Sequence, residues 1–271
     1  MALAGSKAAS RHQRILALIG QRGYVSNEEL AREFDVTVQT VRRDVNALAE
    51  EGRVARHHGG AGLASSTENI AYAERQVLNP QAKEAIARQA AAEIPDRSSL
   101  FVNIGTTTEA LARALLGHRE LRVITNNLNV AALLSSRTDF SVVVTGGTVR
   151  NRDGGIVGQT VSDMIAEFRV DFGILGISGI DEDGTLLDFD PDEIRAARAI
   201  LRHSRQSFLL ADHTKFARRP MVRLGSITEV SALFTDQPPP RPIQALLREH
   251  GVACHVAGRA PAAEAKPAPG R

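Results

Sequence analysis

The chain has 271 residues, a formal net charge of +2 and one cysteine. This length favours two domains, and a hydrophobic fraction of 43% supports packed cores, which excludes a disordered or fibrous chain. The lone Cys254 excludes an intramolecular disulfide, and the absence of a CxxC pair argues against zinc, so we expect no metal and no cofactor. Because no signal sequence or long apolar run is evident, we expect a cytoplasmic protein without a membrane partner.

Positive charge is concentrated in two short stretches near the N-terminus. Residues 1–65 hold nine lysines and arginines against seven acids, and the acids leave 37–43 and 53–58 free of negative charge. An interface with duplex DNA needs such stretches, because neutralising backbone phosphates supplies much of the binding affinity.

The first fifty residues have the pattern of three helices. Apolar residues share one face of 11–21, Ser26 and Glu29 form a capping box for a second helix, and Thr37 caps a third. The following stretch, 53–62, alternates and then becomes rich in glycine. This pattern predicts two short strands and a wing.

Residues 25–44 have the layout of a helix-turn-helix, in which one helix braces the DNA backbone and the next enters the major groove. Asp44 would repel phosphate, so we interpret it as a structural partner of a nearby arginine. The alternative is the solvated face of an ordinary helical bundle, but the order of turn, helix and basic wing favours DNA binding. The candidate DNA-contacting residues are Thr37, Gln39, Thr40, Arg42 and Arg43 on the helix, and Arg53, Arg56, His57 and His58 at the wing.

The rest of the chain alternates between β-branched runs and amphipathic helical stretches. This alternation predicts βαβ units around a mostly parallel sheet, and therefore an α/β fold. We divide the chain into a DNA-binding domain at 8–63, a small polar linker at 64–80, an effector domain at 81–257 and a disordered Ala/Pro-rich tail at 258–271.

Four predicted strand ends carry residues suited to a phosphate site. Ligands bind beyond the carboxyl ends of parallel strands, and phosphate is held by helix N-termini, hydroxyls and cations. Each segment also has a local interpretation: a capped helix start, an N-cap or turn, or a hairpin corner. Arg75 and Lys83 at the linker junction are either solvated surface or phosphate ligands that couple occupancy to the linker. The effector-binding candidates at the strand ends are Gly105, Thr106, Thr107, Thr125, Asn126, Asn127, Gly146, Gly147, Asp212 and Lys215.

Long segments of the chain resemble the DeoR family of bacterial regulators. The similarity runs through TVQTVRRDVNALAEEGRVARHHGGA, KEAIARQAA, NIGTTTEALA, TNNLNVA, TGGTVRNRDGGIVG, DFGILGISGID and ADHTKF. It implies a winged helix-turn-helix followed by a Rossmann-like sensor domain similar to ribose-phosphate isomerases. RHHGGA, TNNLNVA and RDGGIVG most resemble the branch that represses glycerol 3-phosphate genes, which implies glycerol 3-phosphate as effector.

The resemblance therefore implies a homo-oligomeric repressor that binds duplex operator DNA and is released by a small phosphorylated polyol. Three alternatives stay open: a sensor of a different sugar phosphate, a sugar-phosphate isomerase, and an architectural DNA-binding protein. An isomerase needs a carboxylate base, and the stretch from Asp181 to Glu193 holds seven acids. Those acids also suit a solvated loop and the N-terminus of the next helix. We therefore predict no catalytic residue.

Overall fold

The computed structural model describes residues 10–19, 24–50, 53–57, 59–63, 72–216 and 218–258. The first of its two domains is a winged helix-turn-helix. Its elements are helix α1 (10–19), strand β1 (Tyr24–Ser26), α2 (Asn27–Phe34), α3 (Val38–Glu50), β2 (Val54–His57) and β3 (Gly60–Leu63). The predicted tail, His58 and much of the predicted linker lie outside the described residues.

Local sequence signals place the helix boundaries of this domain. Ser26 caps α2, accepting the Glu29 N–H at 3.1 Å, while the Glu29 carboxylate accepts the Ser26 N–H at 2.9 Å, so the predicted capping box is confirmed. Asp35 ends α2 in the left-handed region with φ of 50°. The core between the helices and the wing is apolar and fully enclosed; it contains Ile15, Ile19, Val25, Leu30, Val41, Val45 and Leu48.

The wing sheet contains a strand that the sequence did not predict. β1 pairs with β3, so the three strands lie in the antiparallel order β1-β3-β2. The hairpin needs its glycines: Gly59 has φ of +84°, and a Cβ on Gly60 would lie 2.4 Å from the Val25 carbonyl oxygen. The GG pair therefore permits the wing to approach β1.

The second domain is built around seven parallel strands. Its helices and strands are α4 (Tyr72–Val77), α5 (Pro80–Ala92), β4 (Ser99–Val102), α6 (Thr106–Leu115), β5 (Arg122–Thr125), α7 (Leu128–Leu134), β6 (Ser141–Val144), β7 (Thr148–Arg150), β8 (Gly155–Val157), α8 (Gln159–Ala166), β9 (Val170–Gly176), β10 (Gly179–Ile180), β11 (Thr185–Asp188), α9 (Pro191–His203), β12 (Ser204–Leu210), β13 (Val222–Ser226), β14 (Ala232–Thr235), α10 (Arg241–Glu249) and β15 (Ala253–Val256).

Helices cover both faces of the large sheet. Successive residues of β4 enter different cores: Leu100 and Val102 pack with α5, α6 and α7, whereas Phe101 packs with α8, α9 and α10. This two-residue period is the expected behaviour of a strand buried on both sides. The predicted α/β class and the preceding winged helix-turn-helix are both confirmed.

The order of the seven strands locates the ligand crevice. The order is β15-β14-β12-β9-β4-β5-β6 with every pair parallel, so the chain adds β5 and β6 on one side of β4 and later strands on the other. The point at which the direction reverses lies between β4 and β9. In open α/β sheets this switch point leaves a crevice beyond the carboxyl ends of the strands. No helix within the described residues is long and apolar enough to cross a bilayer.

Candidate DNA interface and effector cavity

One face of α3 presents polar and basic side chains to solvent. Gln39, Arg42 and Arg43 are exposed, and their spacing puts them on one side of the helix. Thr37 is exposed too, but its hydroxyl accepts the N–H of the half-buried Thr40 at 3.2 Å and lies 2.9 Å from that residue's hydroxyl. The two threonines therefore close the helix N-terminus, leaving the outward face to the other three residues.

The wing places further basic side chains at the surface. Arg53, which precedes β2, is exposed, and so is Arg56 within that strand. His57 lies in the same strand, but its side chain, like all of His58, falls outside what the structure describes. The wing and α3 thus bring most of the predicted DNA-contacting residues onto the surface of one small domain.

Asp44 is the structural partner of an arginine, as predicted, although that arginine comes from α1. Its carboxylate accepts bonds from Arg11 Nε at 2.5 Å and Arg11 Nη2 at 3.0 Å, and His12 Nε2 lies 3.1 Å away. The pKa of Arg11 is raised by its hydrogen bond to Asp44. The one acid among the central turns of α3 is therefore buried and neutralised, which keeps the outward face free of negative charge.

Replacing Arg43 with alanine is expected to weaken operator binding about 10- to 100-fold, because an arginine contact to a base or phosphate contributes about 1–3 kcal/mol. Operator fragments selected by the wild-type protein from genomic DNA supply the probe for a gel-shift titration. Arg205→Ala is the control, since it removes the same charge from an exposed position in the second domain. Equal operator affinity of the Arg43 variant and wild type would remove this residue from the interface.

A cavity opens at the switch point between β4 and β9. Its lining includes Gly105, Thr106 and Thr107, the segment Gly176–Ser178 that follows β9, and Lys215. The cavity volume is about 40 Å³. This is room for a few water molecules, so we expect side chains to move when a ligand as large as a sugar phosphate enters.

The floor of the cavity is the junction between β4 and α6. Gly105 occupies the N-cap with φ of 152°, and Thr108 turns its hydroxyl back onto the Asn103 and Gly105 carbonyl oxygens at 2.8 and 2.7 Å. The N–H groups of the first turn, at Thr106 and Thr107, have no partner inside an α-helix. A helix N-terminus with such groups favours a bound anion.

Two cations from separate elements complete the anion-binding part of the lining. Arg75 comes from α4, where its Nη2 lies 3.7 Å from Asp153 Oδ2 and its buried Nε has no hydrogen-bond partner among the described residues. Lys215 comes from a 3-10 turn, His213–Lys215. Burial lowers the pKa of Lys215 to about 7, although Asp212 opposes the shift. A phosphate group would supply the missing partner of Arg75 Nε and a counter-charge for Lys215.

Lys83 and Asp212 support these cations from outside the lining. Lys83 is buried on α5 and donates its Nζ to the Arg75 carbonyl oxygen, and burial lowers its pKa to about 8. Asp212 is only 2% exposed and accepts the Thr214 N–H at 2.9 Å, which fixes the turn that carries Lys215. Neither residue lines the cavity, so its predicted contact with an effector stays a prediction, and each holds an element that carries a lining cation.

The predicted residues after β5 and β6 lie outside the cavity. Thr125 donates to the Val102 carbonyl oxygen at 2.6 Å, Asn126 donates to the Ile156 carbonyl oxygen at 3.2 Å, and Asn127 caps α7. Gly146 and Gly147 form the corner between β6 and β7. These strand ends lie on the side of β4 that faces away from the switch point. Of the four predicted segments, only those after β4 and β12 line the cavity, together with the end of β9.

The sequence analysis missed the acidic part of the lining. Asp188, at the end of β11, and Glu193, in the first turn of α9, both face the cavity. Burial raises the pKa of Asp188, and burial together with Asp188 raises that of Glu193 to about 7 despite the nearby Arg150. Only Asp190 and Asp192 behave as the helix-capping acids that were expected. The spacing of Glu193, Ile194 and Ala197 on one helical face was the available signal.

Helix α4, which lies within the predicted linker, is bonded to the helix at the cavity floor. Tyr72 donates to both carboxylate oxygens of Glu109 at 2.8 Å, and Glu109 lies in the first turn of α6. Asn127 and Asn129 donate to the same carboxylate at 3.2 and 3.1 Å. The helix that carries Arg75 is thereby fastened to the helix whose N-terminus forms the cavity floor.

Comparison with known proteins identifies both domains. The DeoR-like helix-turn-helix domain matches residues 11–67, and the DeoR C terminal sensor domain matches residues 78–237. The chain belongs to the DeoR family. Its sensor domain contains the switch-point cavity, and its helix-turn-helix domain contains the basic face of α3.

Several curated DeoR relatives align over nearly their whole length. The "Glycerol-3-phosphate regulon repressor" of Escherichia coli is 51% identical over 246 residues, covering 91% of this chain and 98% of the relative. The protein of the same name from Haemophilus influenzae is 51% identical over 233 residues, covering 86% and 91%. The "HTH-type transcriptional repressor CsqR" of Escherichia coli is 44% identical, covering 88% and 92%. All three are repressors by name, which agrees with a regulator rather than an enzyme.

Similarity to solved structures is more remote. A D-ribose-5-phosphate isomerase in complex with phospho-erythronic acid has a TM-score of 0.38 at 14% identity, covering 51% of this chain and 54% of that chain. A probable sor operon regulator from Shigella flexneri has a TM-score of 0.40 at 12% identity, covering 62% and 88%. Similarities of this size do not indicate a shared activity.

Proposed function

We propose that this protein represses genes of glycerol and glycerol 3-phosphate metabolism and leaves its operator when glycerol 3-phosphate occupies the switch-point cavity. The observation that carries the proposal is 51% identity, over 91% of the chain, to a glycerol-3-phosphate regulon repressor. The basic face of α3 and the cavity beside Lys215 give the proposal its two sites.

Operator DNA is read by α3 and clamped by the wing. Arginine in the major groove forms paired hydrogen bonds to guanine, and glutamine does so to adenine, so Gln39, Arg42 and Arg43 supply base contacts or phosphate neutralisation. Arg53 and Arg56 contact the flanking backbone. One such helix reads too few base pairs to find a site in a genome, so we propose a homo-oligomer, dimer or tetramer, acting in the cytoplasm.

The effector's phosphate binds where positive charge converges. The N–H groups of Thr106 and Thr107 donate to its oxygens, while Arg75 and Lys215 provide the counter-charge. Because the empty cavity is small, binding must move lining side chains, and Arg75 is the one attached to the linker segment. An effector that prefers the rearranged state shifts the population away from the DNA-binding geometry.

The isomerase alternative has one favourable observation, which is the carboxyl of Glu193 in the cavity with a pKa near 7. A general base must take a proton from its substrate, yet the contact with Arg150 Nη2 at 2.5 Å makes this carboxylate a weaker base. Incubating the purified protein with ribose 5-phosphate decides the matter, since we expect no ketose product to form.

A thermal-shift panel of sugar and polyol phosphates, run with and without operator DNA, tests the proposed function. We expect glycerol 3-phosphate to give the largest rise in melting temperature, because a ligand that binds only the folded state stabilises it. Operator DNA should reduce that rise. Stabilisation by another sugar phosphate alone would keep the regulator and replace the effector. Stabilisation by none would favour an architectural DNA-binding protein.

A further inference from the structure

Two carboxylates of the cavity lining come from a different part of the fold than the phosphate-binding groups. Asp188 ends β11 and is 7% exposed, and the Glu193 side chain on α9 is 17% exposed. The candidate phosphate-binding groups of the protein come instead from α4, the β4–α6 junction and the turn that ends at Lys215. The cavity therefore offers an incoming ligand a positively charged surface that binds anions and a separate carboxylate surface that accepts hydrogen bonds from hydroxyls.

Neighbouring groups hold both carboxylates in place. Asp188 Oδ1 accepts the Ser178 hydroxyl at 3.0 Å and the Phe189 N–H at 2.7 Å. Glu193 is held by Arg150, which also contacts Asp153 at 2.6 Å. These contacts keep the carboxylates from turning away from the cavity, so the acceptors are arranged before a ligand arrives.

We propose that Asp188 and Glu193 make the cavity selective for a phosphorylated polyol and exclude a phosphorylated acid of the same length. This inference rests on the proposed function and names the chemistry that the same site accepts and rejects. Once the phosphate occupies Arg75 and Lys215, no other cation among the described residues lines the cavity, and Arg150 beside it is already paired with Glu193. Hydroxyls donate to the two carboxylates, whereas a ligand carboxylate meets like charge in a buried setting.

The state of the two carboxyls in the empty cavity supports this selectivity. Burial raises the pKa of both, and Asp188 contributes to the raised pKa of Glu193. When both carboxyls are ionised they repel each other, and a third negative charge would add to that repulsion. A hydroxyl donor instead stabilises the ionised form of each carboxyl.

Glycerol 3-phosphate and 3-phosphoglycerate form a matched pair for the test, because they differ only in a hydroxymethyl group and a carboxylate. Calorimetric titration of the full-length protein is expected to give at least about 100-fold weaker binding of 3-phosphoglycerate, the scale set by a charged contact that turns from attractive to repulsive. Inorganic phosphate measures what the anion-binding groups contribute alone.

The variants Asp188→Asn and Glu193→Gln should reduce the difference in binding affinity between glycerol 3-phosphate and 3-phosphoglycerate. Each is expected to bind glycerol 3-phosphate about tenfold more weakly while 3-phosphoglycerate holds or gains affinity, so the selectivity ratio falls at least about tenfold. Asparagine keeps the acceptor oxygen for Ser178 and Phe189, and the exposed Asp163→Asn is the control for loss of charge. If Asp188→Asn lowers the melting temperature of the protein, the selectivity ratio of Glu193→Gln is used instead.

The binding affinities of the two ligands distinguish an error in the proposed selectivity from an error in the proposed effector. If the wild type binds both ligands equally, or if both variants keep the wild-type ratio, the selectivity proposal is overturned and the effector stands. If the wild type binds neither ligand, the proposed effector falls and the selectivity proposal falls with it.

Discussion

The variant Lys215→Met is expected to stay on the operator at glycerol 3-phosphate concentrations that release the wild-type protein. Lys215 is one of two cations that line the cavity among the described residues, and losing a charged hydrogen bond to phosphate weakens binding about 10- to 100-fold. The half-release concentration should rise by the same factor in a fluorescence anisotropy titration. Operator affinity without effector should not change, because the residue lies in the sensor domain.

Arg219→Met is the matched control for this experiment. Arg219 follows the same turn, and its exposed side chain contacts Asp181 at 2.9 Å. Its loss removes one positive charge without altering the cavity lining, so release should follow the wild-type curve. Normal release of the Lys215 variant would mean that the phosphate binds elsewhere.

The lowered pKa of Lys215 gives the same site a pH dependence. With a pKa of about 7 in the empty cavity, the lysine is charged below pH 7 and increasingly neutral above it. The charged form binds phosphate, so effector affinity should be full below pH 7 and fall as the pH rises to 8.5. Phosphate monoesters are already mainly dianionic in this range, with a second pKa near 6. The variant Lys215→Arg should lack the fall, and an unchanged slope in that variant would assign the titration to another group.

The variant Asp44→Ala is expected to destabilise the DNA-binding domain by about 3 kcal/mol. Removing one partner of a buried ion pair leaves the other charge uncompensated, which costs about 3–5 kcal/mol, and the lower end applies because Arg11 keeps 20% of its side chain exposed. Hydrogen exchange of the full-length protein should speed up in α3 by about two orders of magnitude, the equivalent of that free energy, but not in β9.

Two further variants separate burial of the pair from simple loss of charge. Glu33→Ala breaks the exposed contact with Arg14 at 3.8 Å, and such contacts contribute at most about 1 kcal/mol. Adding Arg11→Met to Asp44→Ala should restore part of the lost protection, because no buried charge is then left unpaired. Unchanged exchange in α3 of the single variant would show that the Arg11–Asp44 pair does not hold α1 against α3.

Local sequence signals were enough to predict most of the fold. Ser26, Glu29 and Thr37 each act on groups three residues away, so the pattern alone determines where α2 and α3 begin. The predicted β-branched runs form strands of the large sheet, and those at its centre, such as β4 and β9, are buried on both faces. The strands that were missed are short, such as β1 in the wing and the hairpin of β7 and β8.

The candidate site was only partly predictable, because strand order cannot be read from local pattern. The ends of β4, β5 and β6 carry similar polar residues, and nothing near Thr125 or Gly146 shows on which side of the switch point they lie. Asp188 and Glu193 look like loop and capping acids until β11 and α9 fold against the carboxyl end of β9. Such a site depends on contacts between distant segments.

The proposed function requires effector binding in the sensor domain to be coupled to operator binding by α3. Calorimetric titration of glycerol 3-phosphate into the free protein and into the protein–operator complex tests it most directly. Linkage requires operator DNA to weaken effector binding by the same factor by which the effector weakens operator binding. We predict a reduction of about 5- to 150-fold, the usual range of such coupling. The same effector affinity in both titrations would show that effector binding and operator binding are not coupled.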